Sequence, residues 1–500
     1  MLAPLWDAAS IAVIGATERP GALGRLPITF LRRYGYPGRI LPINPSSPTV
    51  LGLDAYPTVT AAPGPVELAL VMVAADRVAA AVDDCVAAEV PVAVVMSSGF
   101  AESGPAGKAL QDDVVRRARA GGMRIVGPNC IGTVGFATGQ VSTFSPLFGA
   151  DDVPMRSGSV AFVSQSGALG YGAVSLALAR GLGLGWAVNT GNEADVGAVE
   201  VLEALAARDD CTALLAYVES LADGAALRRL AAQGKPVAVL KAGSSEAGAQ
   251  AAASHTGALA AGDRVVDGVL RQLRIARAGD VDDLLDLGDA FEQPRRPAGP
   301  RTAVITTSGG SGILAADAVA GTRLELARFS AGTTTTLQAA VPAFGSVANP
   351  VDITATVMSD PDLFDRCLAA VASDDGVDAV IACFCVLTGD DVDRMVDALA
   401  RTADQTGKPV LVARTGADFL APKAAAALRT AGIPAYPTPA RAVRALAALW
   451  DTRPRADLSD RGRAQPGSGS DRLPDAAASE VDVKALLANA GLAVPRGRLV

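Results

Sequence analysis

Short contiguous apolar runs recur along the whole chain, among them "IAVIGA", "RILPIN", "LALVMVA", "VAVVMSSGF", "RIVGPN", "VAFVSQSG", "ALLAYVES", "PVAVLKAG", "TAVITTSGG", "AVIACFCV" and "PVLVARTG". Between them lie Ala-rich stretches whose apolar residues return with helical spacing. Runs that are apolar at consecutive positions, not alternate ones, predict strands buried on both faces. Such strands alternating with helices predict parallel sheets covered on both sides, an α/β protein.

Comparing the chain with itself adds organisation. "VAFVSQSGALGYGAVSLALA" from 160 matches "AVITTSGGSGILAADAVA" from 303, each a strand, a Ser/Gly turn and a helix. Next, "GNEADV" from 191 parallels "ANPVDI" from 348, then "TALLAYVES" parallels "DAVIACFCV", then "GKPVAVLKAGSS" from 234 parallels "GKPVLVARTGAD" from 407. Four features in one order predict a duplication. The expected domains are 1–150, 151–292 and 300–452, the last two homologous. A Pro/Gly/Ser-rich linker is expected over 453–477, and 478–500 reads as the opening helix and strand of a further domain.

Composition narrows the function classes. A chain of 500 residues exceeds one core and calls for several domains. No apolar run approaches the ~18–20 residues of a membrane span. The N-terminus lacks a basic region before its first apolar run, which argues against a signal peptide. The six cysteines show no paired spacing, so neither a disulfide framework nor a metal site is expected, and a cytoplasmic setting fits. A net charge of −8 with scattered basic residues offers no nucleic-acid footprint.

The candidate chemistry lies in the turns after the strands, where open parallel sheets bind ligands. "IAVIGATERPGALG" places Gly15, Gly21 and Gly24 between a strand and a helix. The spacing is not G-x-G-x-x-G and the second strand ends at Asn44 without an acid, so a nicotinamide cofactor is disfavoured; a structural glycine turn or a different phosphate-bearing cofactor remain. "SQSG" from 164 and "TSGGSG" from 307 feed helix N-termini, each an N-cap or an anion site. Their equivalent places in duplicated domains favour aiming both at one dianion. His255, the one histidine, sits in "AAASHTGALA", a run of small residues present in the first copy only. A neutral imidazole can attack phosphorus when a carboxylate orients its other nitrogen, and Glu219, ending "LLAYVE", is the candidate orienting group.

In this order the motifs "IAVIGA", "PINP", "VMSSGFAESG", "GPNCIG", "VSQSGALG", "GNEADV", "YVESLADG", "KPVAVLKAGSSEAG", "ASHTGALA", "SGGSGILAADA" and "NPVDIT" resemble the NDP-forming acyl-CoA synthetases, over about residues 8 to 450. The resemblance implies an N-terminal Rossmann-like CoA-binding domain followed by two flavodoxin-like CoA-ligase domains. It implies an ADP-forming ligase that joins a carboxylic acid to CoA through an acyl phosphate and a phosphohistidine. On it, His255 matches the phosphorylated histidine and Glu219 its carboxylate partner. Gln165, Ser166 and Gly167 match one phosphate-holding helix terminus, and Gly309, Gly310 and Gly312 the other. Gly15, Ala16, Thr17, Ser97, Ser98 and Gly99 match CoA-contacting loops, and Asn129 the loop beside the reacting centre. ATP or ADP with Mg²⁺ would be held by an ATP-grasp domain or subunit, of which 478–500 resembles only the beginning, and a homo- or hetero-oligomer is implied. Ser46 stands where the family often has a lysine facing CoA phosphates. The competing expectation is a CoA- or acyl-CoA-binding regulatory protein without catalysis.

Overall fold

The computed structural model describes residues 2–453 except 222, 251–261, 361, 387 and 389, and beyond 453 only residues 483, 484 and 488. Residues up to 453 form one compact unit. His255, residues 454–477 of the expected linker and nearly all of 478–500 therefore lie outside the described residues.

The first sheet contains β1 (Ser10–Ile14), β2 (Arg39–Ile43), β5 (Leu68–Val71), β6 (Val92–Val95) and β7 (Arg124–Val126), with β3 (Thr49–Val50) and β4 (Leu53–Asp54) forming a separate small hairpin. Its order is β2-β1-β5-β6-β7, all parallel. The second sheet contains β8 (Gly132–Gly135), β9 (Gln140–Thr143), β10 (Val160–Ser164), β11 (Leu184–Asn189), β12 (Ala213–Val218), β13 (Val237–Lys241) and β14 (Ala276–Ala278). Here the order is β14-β13-β12-β10-β11-β8-β9, the last two running as an antiparallel hairpin against β11. The third sheet contains β15 (Arg301–Thr306), β16 (Glu325–Leu326), β17 (Val351–Asp352), β18 (Ala379–Cys385), β19 (Val410–Thr415) and β20 (Ala435–Tyr436), ordered β16-β15-β18-β19-β20 with β17 also on β15.

Numbered within its own parallel set and leaving β17 aside, each sheet reads 2-1-3-4-5, so each reverses its strand order beside its first strand and opens a crevice there. The contiguous apolar runs account for this arrangement: β1, β6 and β10 are buried at every position, as strands covered on both faces must be.

Hairpin β8–β9 falls within 1–150 by sequence, yet it completes the second sheet. It carries hydrogen-bonding edges that β11 satisfies, so the first two sheets are interlocked. One buried cluster runs from Ile11 and Val94 of the first sheet to Val163, Val188 and Leu214 of the second. Another joins the second and third sheets through the helices Val281–Glu292 and Pro439–Asp451. Between those helices Asp286 accepts hydrogen bonds from Arg441 at 2.5 and 2.6 Å and from Arg180 at 3.2 Å. Cys367 lies in the helix Leu363–Ala372, and all six cysteines are free. Among the described residues no helix is long and apolar enough to cross a membrane.

Candidate functional site

The crevice of the first sheet opens between the ends of β1 and β5. Gly15 has a φ of +90°, and a Cβ there would stand 2.7 Å from the carbonyl oxygen of Met72. Gly24 passes so close that its Cβ would meet the Gly15 oxygen at 2.1 Å, which explains glycine at both positions. Asn44, which follows β2, donates to the Ala16 carbonyl at 2.9 Å and so ties the Gly15–Ala16–Thr17 turn to the end of that strand. Ser46 is exposed, its N–H closing a turn onto Asn44 Oδ1 at 2.8 Å. On the far side of β5, Ser97 is buried and donates to the Val73 carbonyl at 2.5 Å, while Ser98 is exposed. Gly99 donates its N–H to Glu102 at 2.6 Å.

The "GPNCIG" loop leaves β7 with Asn129 at a φ of +57° and its N–H on the Ser97 carbonyl at 2.9 Å. The "GNEADV" loop after β11 docks against it. Asn192 and Ala194 donate to the Pro128 and Gly127 carbonyls at 2.9 and 3.0 Å, and Val126 and Val196 form an isolated parallel bridge. Asn129 Nδ2 donates to Asn192 Oδ1 at 3.2 Å, and Asn192 Nδ2 reaches Glu102 at 2.5 Å. Burial pushes the Glu102 carboxyl up, but this contact and the Gly99 and Phe100 N–H groups outweigh it and leave the carboxyl below its usual range. A continuous polar seam thus runs from the loops of the first sheet to the second.

At the crevice of the second sheet, between β10 and β12, Gln165 is fully engaged. Its backbone N–H meets the Tyr217 carbonyl at 3.1 Å. Its Oε1 accepts from the Glu219 and Ser220 N–H groups, at 2.5 and 3.0 Å. Its Nε2 donates to Glu193 at 2.8 Å and to the Ser220 carbonyl at 3.1 Å. Gln165 therefore braces Glu219 instead of presenting its side chain to a ligand. The N–H groups of the first turn of helix Gly167–Arg180, where Ser166 takes the N-cap position without a side-chain capping bond, have no carbonyl partner within the helix.

Gly167 packs tightly against the loop that leaves β7. A Cβ there would lie 2.5 Å from both Cγ1 and Cδ1 of Ile131, whose own N–H is fixed by Asn189 Oδ1 at 2.7 Å. Gly167→Ala is expected to destabilise the fold by about 1–3 kcal/mol. Denaturant melts check it, and adding Ile131→Ala should recover much of the loss by removing the clash.

Glu193, absent from the sequence-derived candidates, lies beneath this cluster. Burial raises its carboxyl above the ordinary range; hydrogen bonds from Thr190, Ala198 and Gln165 oppose the rise, and the charge of nearby Glu219 adds to it. One signal was available: within the duplicated Asn-x-x-Asp motif the second copy has Pro350 where the first has Glu193.

The equivalent turn of the third sheet carries Gly309, Gly310 and Gly312 in the first turn of helix Gly309–Ala320. Thr306 Oγ1 donates to the Ser308 carbonyl at 2.8 Å, much as Ser164 Oγ donates to the Ser166 carbonyl at 2.7 Å. Gly309 and Gly310 are exposed, and a Cβ on Gly309 would lie 3.0 Å from Asp352. The side-chain hydrogen bonds of this turn stay within the third sheet. The structure thus brings Ser97, Gly99, Asn129, Gln165, Ser166, Gly167 and Glu219 along one seam. Gly15, Ala16 and Thr17 occupy the crevice of the first sheet, and the Gly309 turn that of the third.

Three family models match successive parts of the chain: a CoA binding domain over 9–135, a succinyl-CoA ligase like flavodoxin domain over 157–291 and a ligase-CoA domain over 302–456. The chain is 34% identical over 465 residues to the acetate–CoA ligase (ADP-forming) I subunit alpha of Pyrococcus furiosus, covering 90% of this chain and 97% of that one. It is 34% identical over 442 residues to acetate–CoA ligase (ADP-forming) I of Archaeoglobus fulgidus, covering 88% of this chain and 62% of that one. Its fold superposes with a TM-score of 0.81, at 33% identity and covering 90% and 97% of the two chains, on the dinucleotide-forming acetyl-coenzyme A synthetase 1 of Ca. Korarchaeum cryptofilum, solved with phosphate and ADP.

Proposed function

The chain belongs to the NDP-forming acyl-CoA synthetase family, and from that premise we propose that it is the CoA-binding and phosphoryl-carrying part of an ADP-forming carboxylate–CoA ligase. ATP-grasp chemistry, with its nucleotide and Mg²⁺, is supplied outside residues 1–453. The near-complete overlap with an alpha subunit, against 62% of a longer relative, supports that division.

Read toward thioester formation, a phosphoryl group on His255 passes to the carboxylate of the acid: the N–P bond breaks, an O–P bond forms, and neutral imidazole is released. The CoA thiolate then attacks the acyl carbon, forming the C–S bond and expelling phosphate. The Gly15–Thr17 turn and the Ser97–Gly99 loop hold CoA, and Asn129 lies beside the reacting acyl group. The helix end at Ser166–Gly167 stabilises charge on the phosphate, as does the end at Gly309, Gly310 and Gly312. Glu219, held by Gln165, orients the imidazole when it takes the phosphoryl group.

The observation that supports this reading is the polar seam from the Ser97 and Asn129 loops to the Gln165–Glu219 cluster, which joins the loops read as CoA-contacting to the turn read as phosphate-holding. The test runs the reaction backwards. Acetyl-CoA and radiolabelled phosphate, with no nucleotide, should release free thiol and label His255 in an acid-labile, base-stable form. Added ADP and an ATP-grasp partner should chase the label into ATP. CoA binding with neither thiol release nor label would instead favour the regulatory binder.

A further inference from the structure

The cluster at the second crevice is acidic, with two carboxylates, Glu193 and Glu219, in one another's field. A phosphate dianion brought beside them needs positive charge nearby, and a helix end supplies only about half a unit. The adjoining strand offers the missing charge. Lys241 ends β13, in register with Val218, the residue before Glu219. Ala242 continues the pairing, its N–H on the Val218 carbonyl at 2.9 Å.

The residue is only 5% exposed, although a buried ammonium is costly unless it is paired. Its Nζ curls back onto the carbonyl of Ala242, at the carboxyl edge of the sheet where ligands of such sheets lie. Among the described residues no carboxylate forms an ion pair with it. Asp263, the acid whose charge acts on it most, is engaged by Arg277, which donates to it through both terminal nitrogens at 3.1 and 2.5 Å. Burial draws the Lys241 ammonium below its ordinary range, Asp263 and Glu219 counter that, and Arg277 adds to it. Among the described residues this buried ammonium has one hydrogen-bond partner, the Ala242 carbonyl, and no ion-paired carboxylate, and at the carboxyl edge of the sheet it fits an anion site.

We propose that Lys241 anchors the phosphate of the reaction, its ammonium bonding a phosphate oxygen while the helix end at Ser166–Gly167 holds another. The proposal rests on the ligase reading above and names a residue beyond those matched to the family. Lys241 offsets the Glu193 and Glu219 carboxylates, so that the site accepts a dianion they would otherwise repel.

The test uses the whole chain with Lys241→Met, Lys241→Gln and Lys241→Arg. In the thioester-cleaving direction, the methionine and glutamine variants should raise half-saturating phosphate by about tenfold or more, with half-saturating acetyl-CoA nearly unchanged, and arginine should restore most of the loss. Separately, inorganic phosphate without thioester should raise the melting temperature of the parent protein but not of the methionine variant. That melt needs no chemistry, so a parent protein that neither releases thiol nor labels His255, yet keeps the Lys241-dependent shift, would refute the ligase reading and leave this assignment standing. Equal phosphate saturation and an equal melting shift in the parent, methionine and glutamine proteins would overturn it. A parallel loss of acetyl-CoA and phosphate affinity in all three variants would also do so, since that is the mark of a structural lysine.

Discussion

Replacing His255 with alanine is expected to abolish phosphoryl transfer to ADP, by a factor on the order of 10⁴ or more, while acyl-CoA still exchanges with phosphate. The asymmetry follows from the chemistry. In the proposed mechanism phosphate attacks the thioester carbonyl at the seam between the first two sheets, and its charge is held by helix N–H groups that the substitution leaves in place. Only the second step, moving the phosphoryl group off the acyl phosphate, needs a nucleophile on the protein. The chain contains one histidine, so an acid-labile, base-stable label has a single imidazole address. The check is a pair of assays on one variant: thiol release from acetyl-CoA with phosphate, and label retained on the protein after gel filtration. Retained ATP formation by His255→Ala with a competent ATP-grasp partner would end the phosphohistidine mechanism. Loss of both half-reactions would mean the variant had damaged the seam itself.

The layered fold was legible because contiguous valine and isoleucine runs have one cheap solution, a strand covered on both faces. Ser97, Asn129, Gln165 and Glu219 were legible for a related reason, since each follows a strand and strand ends converge on the crevices. What a side chain does once there depends on its neighbours across the fold. Gln165 was read as part of an anion-holding turn, but its amide is consumed by Glu219, Ser220 and Glu193, residues 28 to 55 positions away. The hairpin at 132–143 was assigned to the first domain because it follows that domain in the chain; the free edge of β11 recruits it instead.

The duplicated Asn-x-x-Asp motif shows the same limit. In the second copy Asn349 braces its own sheet, with Nδ2 on the Thr302 carbonyl at 2.8 Å and Oδ1 on the Val304 N–H at 2.9 Å. In the first copy Asn192 and Asp195 turn outward to the first sheet. One motif serves two ends because the first copy's loop docks on the first sheet, whereas the second copy's asparagine turns back onto its own strand. Lys241 escaped notice for a different reason: a lysine ending an apolar strand reads as a solvated strand end until its burial is known.

Replacing Asp195 with alanine is expected to be the most destabilising single change at the seam, costing about 2–4 kcal/mol at neutral pH. Its side chain is fully buried and accepts from Arg119 at 2.8 Å, Arg124 at 2.9 Å and the Ile125 N–H at 2.8 Å. Deleting it strands all three donors, although Arg124 keeps Glu200 at 2.8 and 3.0 Å and Arg119 is largely exposed, which sets the estimate below that of a wholly buried pair. Burial pushes the Asp195 carboxyl up, but the arginine and Ile125 contacts outweigh it and hold the carboxyl below its usual value. The unfolded chain therefore takes up the proton first. Asp195 contributes its full stabilisation above the unfolded carboxyl value of about 4 and loses it as pH falls below that toward the folded value. Urea melts at neutral pH should separate parent and Asp195→Ala clearly, and melts well below pH ~4 should bring them together. A gap that persists undiminished in acid would show that Asp195 acts through packing and not through charge. Because Asp195 adjoins the loop that carries Asn192 and Glu193, the same variant should slow thiol release from acetyl-CoA even where it remains folded, linking the stability of the seam to the chemistry placed on it.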